Sequence, residues 1–377
     1  MRDLKEVRQD IDRIDKEILK LYEERMVLAE EVAAYKIENH KAIYDRIREE
    51  KKLEKLSDGI EDDLLKQGVI ELFEQIMSSN RKKQYRILAE HGLVGKSNFT
   101  PVDKLDFSEK NIVYQGVPGA YSQAAMVAFF GLPEQAYPVD TWREAMVAIR
   151  TGMADYAVLP IENSTAGVVY ENYDLLMEYD VSIVGEQIIP ISHCLLGTKD
   201  AKISDIKTVY SHPQALMQCS DYLRLSHPEF SAVALDNTAM SAKKVMDEND
   251  KTQAAIAGKI NAEIYGLKIL DENIQNDKNN ETRFIIVSGE KLYKKDAGTI
   301  SLCFELSNDK GTLYHTLSHF IFNGLSMSRI ESRPIKGRNW EYRFFIDFEG
   351  NLMEEAVQNA LRGLQEETNK LRILGNY

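Results

Sequence analysis

Ala157-Val-Leu-Pro-Ile-Glu-Asn-Ser-Thr-Ala-Gly167 decides how the chain reads. The apolar run to Ile161 predicts a buried strand. Residues 168–179 have helical periodicity, with Leu175, Leu176 and Tyr179 on one side. The polar tip Glu162–Thr165 is therefore expected between the C-terminal end of a strand and the N-terminus of a helix. Ligands bind at that place in α/β sheets, and helix-start N–H groups favour anions. An ordinary capped turn is the alternative.

A second stretch pairs with the first. Asn280-Glu-Thr-Arg-Phe284 runs into Ile285-Ile-Val287, which puts polar chemistry at the start of a strand. Arg283 beside the Thr282 hydroxyl can hold a carboxylate and hydrogen-bond a leaving oxygen, or be a solvated strand edge. Pro160-Ile-Glu-Asn-Ser-x-x-Gly167 and Thr282-Arg-Phe284 together resemble the prephenate dehydratase family.

At 377 residues the chain is expected to hold two or three domains. A net charge of −13 without a basic block argues against nucleic acid as a partner. Cys194, Cys219 and Cys303 show no paired spacing, as expected of a reduced compartment. The charged start Met1-Arg-Asp-Leu-Lys-Glu6 predicts no signal peptide, and no apolar run reaches the ~20 residues of a membrane span. A soluble, cytoplasmic protein is the expectation.

Composition shifts near residue 100, since all nine prolines lie at or after Pro101. Three helices are expected before it, over about 3–38, 43–56 and 61–88. In the first, Leu4, Val7, Ile11, Ile14, Ile18, Leu21, Leu28, Val32 and Tyr35 form a 3-4 heptad seam. Arg25 breaks it. A charge in a seam is costly unless paired or liganded, although it can also set register or snorkel to solvent. Lys36 lies three turns on and shares its face. Arg8 is ~25 Å of helix away from Arg25, so it can serve the same site only from a second subunit.

Asp45, Arg48 and Glu49 alone read as a solvated helix face. With Arg8, Arg25, Lys36 and Gln84 they resemble the all-helical chorismate mutase family. That resemblance implies that Arg8, Arg25 and Arg48 hold two carboxylates, that Lys36 and Gln84 bond the ether oxygen, and that Glu49 takes a hydroxyl. Such a pericyclic rearrangement needs a conformational clamp and positive charge at the ether oxygen, and no nucleophile or base. The family's interlocked dimer agrees with the reach of Arg8. Asn80 departs from a smaller Ser.

Residues 91–110 read as a linker. Alternating strand and helix signals over 111–297 predict α/β structure. The dehydratase resemblance makes this block two-lobed and periplasmic-binding-like, with a ligand in the cleft. Polar tips at Gly116–Ser122, Ser211–Gln214 and Asp236–Ala239 are each a possible cap and together resemble the family's cleft loops. On that pattern Thr282 serves the departing hydroxyl, and Arg283 and the loop Asn163, Ser164, Thr165 serve carboxylates. Phe284, Ser122, Ser211, Gln214 and Thr238 complete the binding set. Glu162 or His212 is an alternative acid, or a structural group.

Residues 298–377 predict βαββαβ, a ferredoxin-like sandwich. They resemble an ACT domain, an amino-acid sensor. Gly311-Thr-Leu313 and Glu331-Ser-Arg-Pro334 resemble its phenylalanine-binding motifs, and Thr312 departs from the usual Ala. His315 and His319 are spaced like a zinc pair, but a third ligand and an adjacent Glu are missing, so no metal is expected. The resemblances imply a multidomain bifunctional enzyme without cofactor. It would take chorismate to prephenate and on to phenylpyruvate, be inhibited by phenylalanine, and form at least a homodimer. A mutase–dehydrogenase would need a dinucleotide fingerprint, which Gly116-Val-Pro-Gly119 lacks. A solute-binding sensor is the non-enzymatic rival, because two-lobed clefts serve both purposes.

Overall fold

The computed structural model describes residues 2–91 and 97–377, so positions 92–96 of the expected linker lie outside the described residues. Two compact units are present: Met1–Asn98 with Lys295–Ile373, and Phe99–Lys294 with Leu374–Tyr377.

In the first unit the proline-free sequence forms α1 (Leu4–Glu38), α2 (Arg46–Ser57) and α3 (Asp63–Glu90). The side chain of Asp45 caps α2 by accepting from the Arg48 N–H at 3.1 Å, and Asp62 does the same for α3. Asp45 therefore starts a helix and does not sit on its face, because its side chain replaces a missing helical partner. Ala29 and Ala33 are the buried residues of α1, small enough for the helix to lie close to α3. The apolar seam is largely bare: Leu4, Ile11, Ile14, Ile18 and Leu21 are all exposed, Ile18 by 51%. Burial on α1 follows the alanine face, because within one chain only that face meets α3.

The second unit opens with β1 (Thr100–Val102). One lobe follows: β2 (Asn111–Gln115), α4 (Tyr121–Phe130), β3 (Gln135–Val139), α5 (Trp142–Arg150), β4 (Tyr156–Asn163), β5 (Gly167–Val168), α6 (Tyr170–Glu178) and β6 (Ser182–Pro190). The other lobe carries β7 (Cys194–Gly197), β8 (Thr208–Ser211), α7 (Pro213–Gln218), β9 (Ser231–Ala234), α8 (Thr238–Glu248), β10 (Gln253–Ala257), α9 (Ile260–Tyr265) and β11 (Lys268–Glu272). The chain then returns to the first lobe through β12 (Glu281–Ser288), which is followed by β13 (Leu292–Lys294). Strand order is β6-β12-β4-β2-β3 in the first lobe and β11-β7-β10-β8-β9 in the second. Ile112, Val158, Phe284 and Ile286 help form the first core, and Leu195, Val209 and Ile256 part of the second. Because β12 lies between β6 and β4, it carries the Thr282 segment beside the β4 tip.

The tip itself differs from the expectation. β4 runs on to Asn163, and β5 folds back on it with Glu162 opposite Val168 and Asn163 opposite Gly167. Gly167 adopts φ +83°, and the Asn163 Oδ1 accepts the backbone N–H groups of Thr165 and Ala166. This hairpin consumes the donors that a helix start would have offered, and α6 begins only at Tyr170.

The first unit resumes with β14 (Thr299–Leu306), α10 (Thr312–Phe322), β15 (Met327–Pro334), β16 (Tyr342–Glu349), α11 (Glu355–Glu367) and β17 (Asn369–Asn376). The order β15-β16-β14-β17 is that of a ferredoxin-like sheet.

Candidate active sites

A cavity of about 250 Å³ in the helical segment collects Arg25, Lys36, Asp45, Arg48, Glu49 and Gln84. Lys52 and Arg81 add charge and Leu28, Val32 and Met77 add apolar wall, so five cations stand against two carboxylates. That balance suits a dianion. Burial lowers the pKa of Arg25, with nearby Glu49 opposing. Burial lowers Lys36 too, helped by Arg48 and opposed by Asp45. The Arg25 guanidinium donates to the carbonyl of Ile76, which ties it to α3, and the Lys36 ammonium donates to that of Ile43, which ties it to the connection between α1 and α2. Gln84 donates one amide hydrogen to the Asn80 Oδ1 at 2.7 Å and keeps the second for the cavity. Arg8 is not among the lining residues; it lies on the exposed first turns of α1.

A cavity of about 220 Å³ in the second unit collects Ser122, Asn163, His212, Gln214, Thr238, Thr282 and Phe284. Its lining carries no carboxylate, Lys or Arg, so hydroxyls, amides and helix-start N–H groups must do the polar work. Burial lowers the pKa of His212, with Asp236 opposing. Its Nδ1 accepts from the Gln214 N–H at 3.2 Å, which leaves Nε2 as the protonated nitrogen. A neutral imidazole there is a poor acid but a usable donor.

Thr282 is 8% exposed and Asn163 7%. The Asn163 amide donates to the Thr282 Oγ1 at 2.9 Å and also contacts Asn280 Oδ1 and the Glu281 carbonyl. Its orientation is fixed, because Oδ1 accepts from the Thr165 hydroxyl as well as the two backbone N–H groups. Thr165 in turn accepts from Gln218 Nε2 at 2.9 Å, and Gln218 Oε1 lies 3.0 Å from His193 Nε2. A directed hydrogen-bond chain thus runs from His193 to Thr282. His193 is buried, which lowers its pKa against the Gln218 bond.

Besides Thr165, placed in the chain above, four expected residues do not line this cavity. Strand alternation turns Arg283 away from the cavity that Thr282 and Phe284 line, and it pairs with Glu186 at 2.6 Å and with the Tyr377 hydroxyl. Glu162 is opposite Arg283 in the register and does not line the cavity. Ser211 is buried and donates to the Ile256 carbonyl, and Ser164 accepts from the Glu281 N–H; neither lines the cavity. Sequence reasoning missed Tyr121, His193, Gln115 and Gln218. Gln218 and His193 carried no motif, although both adjoin segment ends, where cleft residues gather.

In the C-terminal segment Gly311 caps α10 with φ +77°. Thr312 lines a third cavity of about 530 Å³, which takes none of Glu331, Ser332, Arg333 or Pro334. Leu313 follows in the first turn of α10. On β15 the alternation half-buries Glu331 and Arg333 and exposes Ser332 and Pro334. His315 lies near Glu74 and His319 near Glu367.

Comparison with known proteins identifies the segments that carry these cavities. A family model described as chorismate mutase type II matches residues 7–85, and one described as prephenate dehydratase matches 112–292. The bifunctional chorismate mutase/prephenate dehydratase of Aquifex aeolicus is 34% identical over 378 residues, covering 100% of this chain and 98% of that one. Arogenate dehydratase/prephenate dehydratase 6 of Arabidopsis thaliana is 39% identical over 287 residues, 72% of this chain and 69% of its own. The solved prephenate dehydratase of Arthrobacter aurescens in complex with L-Phe is 30% identical, with a TM-score of 0.66 over 71% of this chain and 89% of that one. Among the described residues no helix is long and apolar enough to cross a membrane.

Proposed function

The chain belongs to the bifunctional chorismate mutase/prephenate dehydratase family, and on that footing we propose which residues perform each step and how the enzyme is controlled. The mutase occupies 1–90, the dehydratase core 111–297 and an ACT-type sensor 298–377; the linker expected over 91–110 is cut short, because β1 (Thr100–Val102) pairs with β13 and already belongs to the dehydratase unit.

The observation that carries the reading is the contrast between the two cavities. Chorismate brings two carboxylates and an ether oxygen on which charge grows as the C–O bond breaks. The cation-rich helical cavity meets that need: Arg25 and Arg48 clamp carboxylates, Lys36 and Gln84 face the ether oxygen, and Glu49 takes the hydroxyl. Arg8 completes the clamp from a second copy, seated on the bare apolar stripe of α1 in a homodimer or larger assembly.

Prephenate loses CO₂ and its 4-hydroxyl together, driven by aromatisation, and so needs a hydrogen bond at the departing oxygen and little more. The neutral second cavity supplies it. The Asn163 amide occupies a lone pair of Thr282 Oγ1, so the Thr282 hydrogen points to the leaving oxygen. Thr282 positions this bond; its own acidity is too weak to deliver a full proton. Gln214, Thr238, Ser122 and His212 bind the carboxylates and ring. Phenylalanine acts on the C-terminal segment through Gly311–Leu313 and Glu331–Pro334, a reading supported by L-Phe in the Arthrobacter relative.

Supplying chorismate and prephenate separately tests the assignment. Wild-type protein should consume each, yielding prephenate and phenylpyruvate respectively. Failure on either substrate removes that half of the reading.

A further inference from the structure

Arg81 of α3 is 6% exposed and lines the mutase-type cavity, yet no role in the rearrangement falls to it. Its guanidinium is a fork between two carboxylates. Nη1 bonds Glu49 of α2, and Nε bonds Glu367 Oε1 of α11 at 2.8 Å. The Tyr44 ring lies 4.6 Å from its Cζ. The other Glu367 oxygen is 3.1 Å from His319 Nε2 of α10. Beside it, Glu366 accepts from the Tyr44 N–H at 3.0 Å and the Tyr85 hydroxyl at 3.1 Å.

Glu366 and Glu367 occupy the last turn of α11, whose negative dipole end disfavours carboxylates, and no basic residue offsets them there. Their compensation comes from His319 of α10, and from α3 and the segment before α2, both of which contribute to the wall of the mutase cavity. Glu49 lies at the end of this chain of contacts, and on the proposed reading it receives the substrate hydroxyl.

We propose that Arg81 and Glu367 are positioning residues of the mutase: Glu367 holds the Arg81 fork, and the fork holds Glu49 in the cavity. The C-terminal segment thereby completes the mutase site of its own chain. An Arg is required at 81, because a lysine's point charge cannot bond two separately placed carboxylates in one plane. The inference rests on the mutase assignment above.

The test is steady-state mutase kinetics of the full chain as wild type, Glu367→Gln, Glu367→Asp and Arg81→Lys. Glu49 contacts the hydroxyl in the bound and the transition state alike, so its misplacement acts as lost uniform binding. KM for chorismate should rise about tenfold in Glu367→Gln and Arg81→Lys, with kcat within about threefold. Glu367→Asp, which keeps the charge on a shorter arm, should recover most of that loss. A merely structural contact would instead lower apparent kcat through fewer folded molecules and leave KM unchanged, and that result overturns the proposal. Should Glu367→Gln fail to fold, Arg81→Lys, which preserves the buried charge, decides alone. Wild-type protein that leaves chorismate untouched overturns the mutase assignment and this inference with it; active wild type with unchanged KM in the variants overturns this inference only.

Discussion

Asn163 and Thr282 stand opposite each other in the β4–β12 register, and the Asn163 amide donates to the Thr282 hydroxyl oxygen at 2.9 Å. One neutral side chain thus decides where the threonine's proton points. The same residue holds the 164–166 turn through its carbonyl oxygen, so loop shape and proton direction depend on one amide.

Replacing that amide by a carboxylate isolates the effect. Asn163→Asp still accepts from Thr165 and Ala166 but cannot donate to Thr282, whose hydroxyl would turn to bond the new carboxylate. Dehydratase kcat should fall about 10²-fold, the usual scale for one lost hydrogen bond at a reacting oxygen. Mutase activity should stay within about twofold. Dehydratase kcat above a tenth of wild type would contradict the role given to this pair.

The two activities should separate cleanly by mutation. Arg25→Ala removes a clamp from the helical cavity and should abolish mutase turnover while prephenate is still converted. Thr282→Ala should do the reverse. Separate assays with chorismate and prephenate check both, and loss of both activities from either change in a folded protein would defeat the modular assignment.

The Glu367 cluster makes stability depend on acid. Burial pushes the Glu367 carboxyl up, but His319 and Arg81 outweigh it and bring the pKa down to about 2. A depressed folded pKa gives stability that is complete above the unfolded value of ~4.3 and is lost as pH falls toward 2. The contribution is on the order of 3 kcal/mol at neutral pH. Thermal unfolding of Glu367→Gln should therefore lie well below wild type at pH 7, and the gap should narrow between pH 5 and pH 3. A gap that is constant across that range would contradict the cluster's charge state.

The register of β15 half-buries Glu331 and Arg333. If they belong to an effector site, Glu331→Ala or Arg333→Ala should raise the phenylalanine concentration needed for half-inhibition at least tenfold, with uninhibited dehydratase turnover retained. Unchanged inhibition curves would remove the sensor role from this strand.

Local signals told most of the fold. The absence of proline before Pro101 predicts the three helices, and the βαββαβ order expected over 298–377 is the order that forms. A strand's period of two, applied to Thr282-Arg283-Phe284, would have turned Arg283 off the cavity; reading the three as one motif hid that. The hairpin after Asn163 was not legible, because Val168–Tyr179 carries helical spacing right up to the turn and the decisive bonds run from one asparagine side chain. Arg81 was hidden for a different reason. Its partner Glu367 lies 286 residues away, a distance that no periodicity spans. The α1 seam was legible as a stripe, but the pattern alone does not say which chain covers it.

The most direct measurement follows chorismate loss and phenylpyruvate formation in one tube of purified full-length protein, with and without phenylalanine. The account predicts that chorismate disappears, that phenylpyruvate accumulates, and that phenylalanine suppresses its formation. Prephenate accumulating without phenylpyruvate would contradict catalysis in the Thr282 cavity, and chorismate left untouched would contradict the charged clamp built around Arg25.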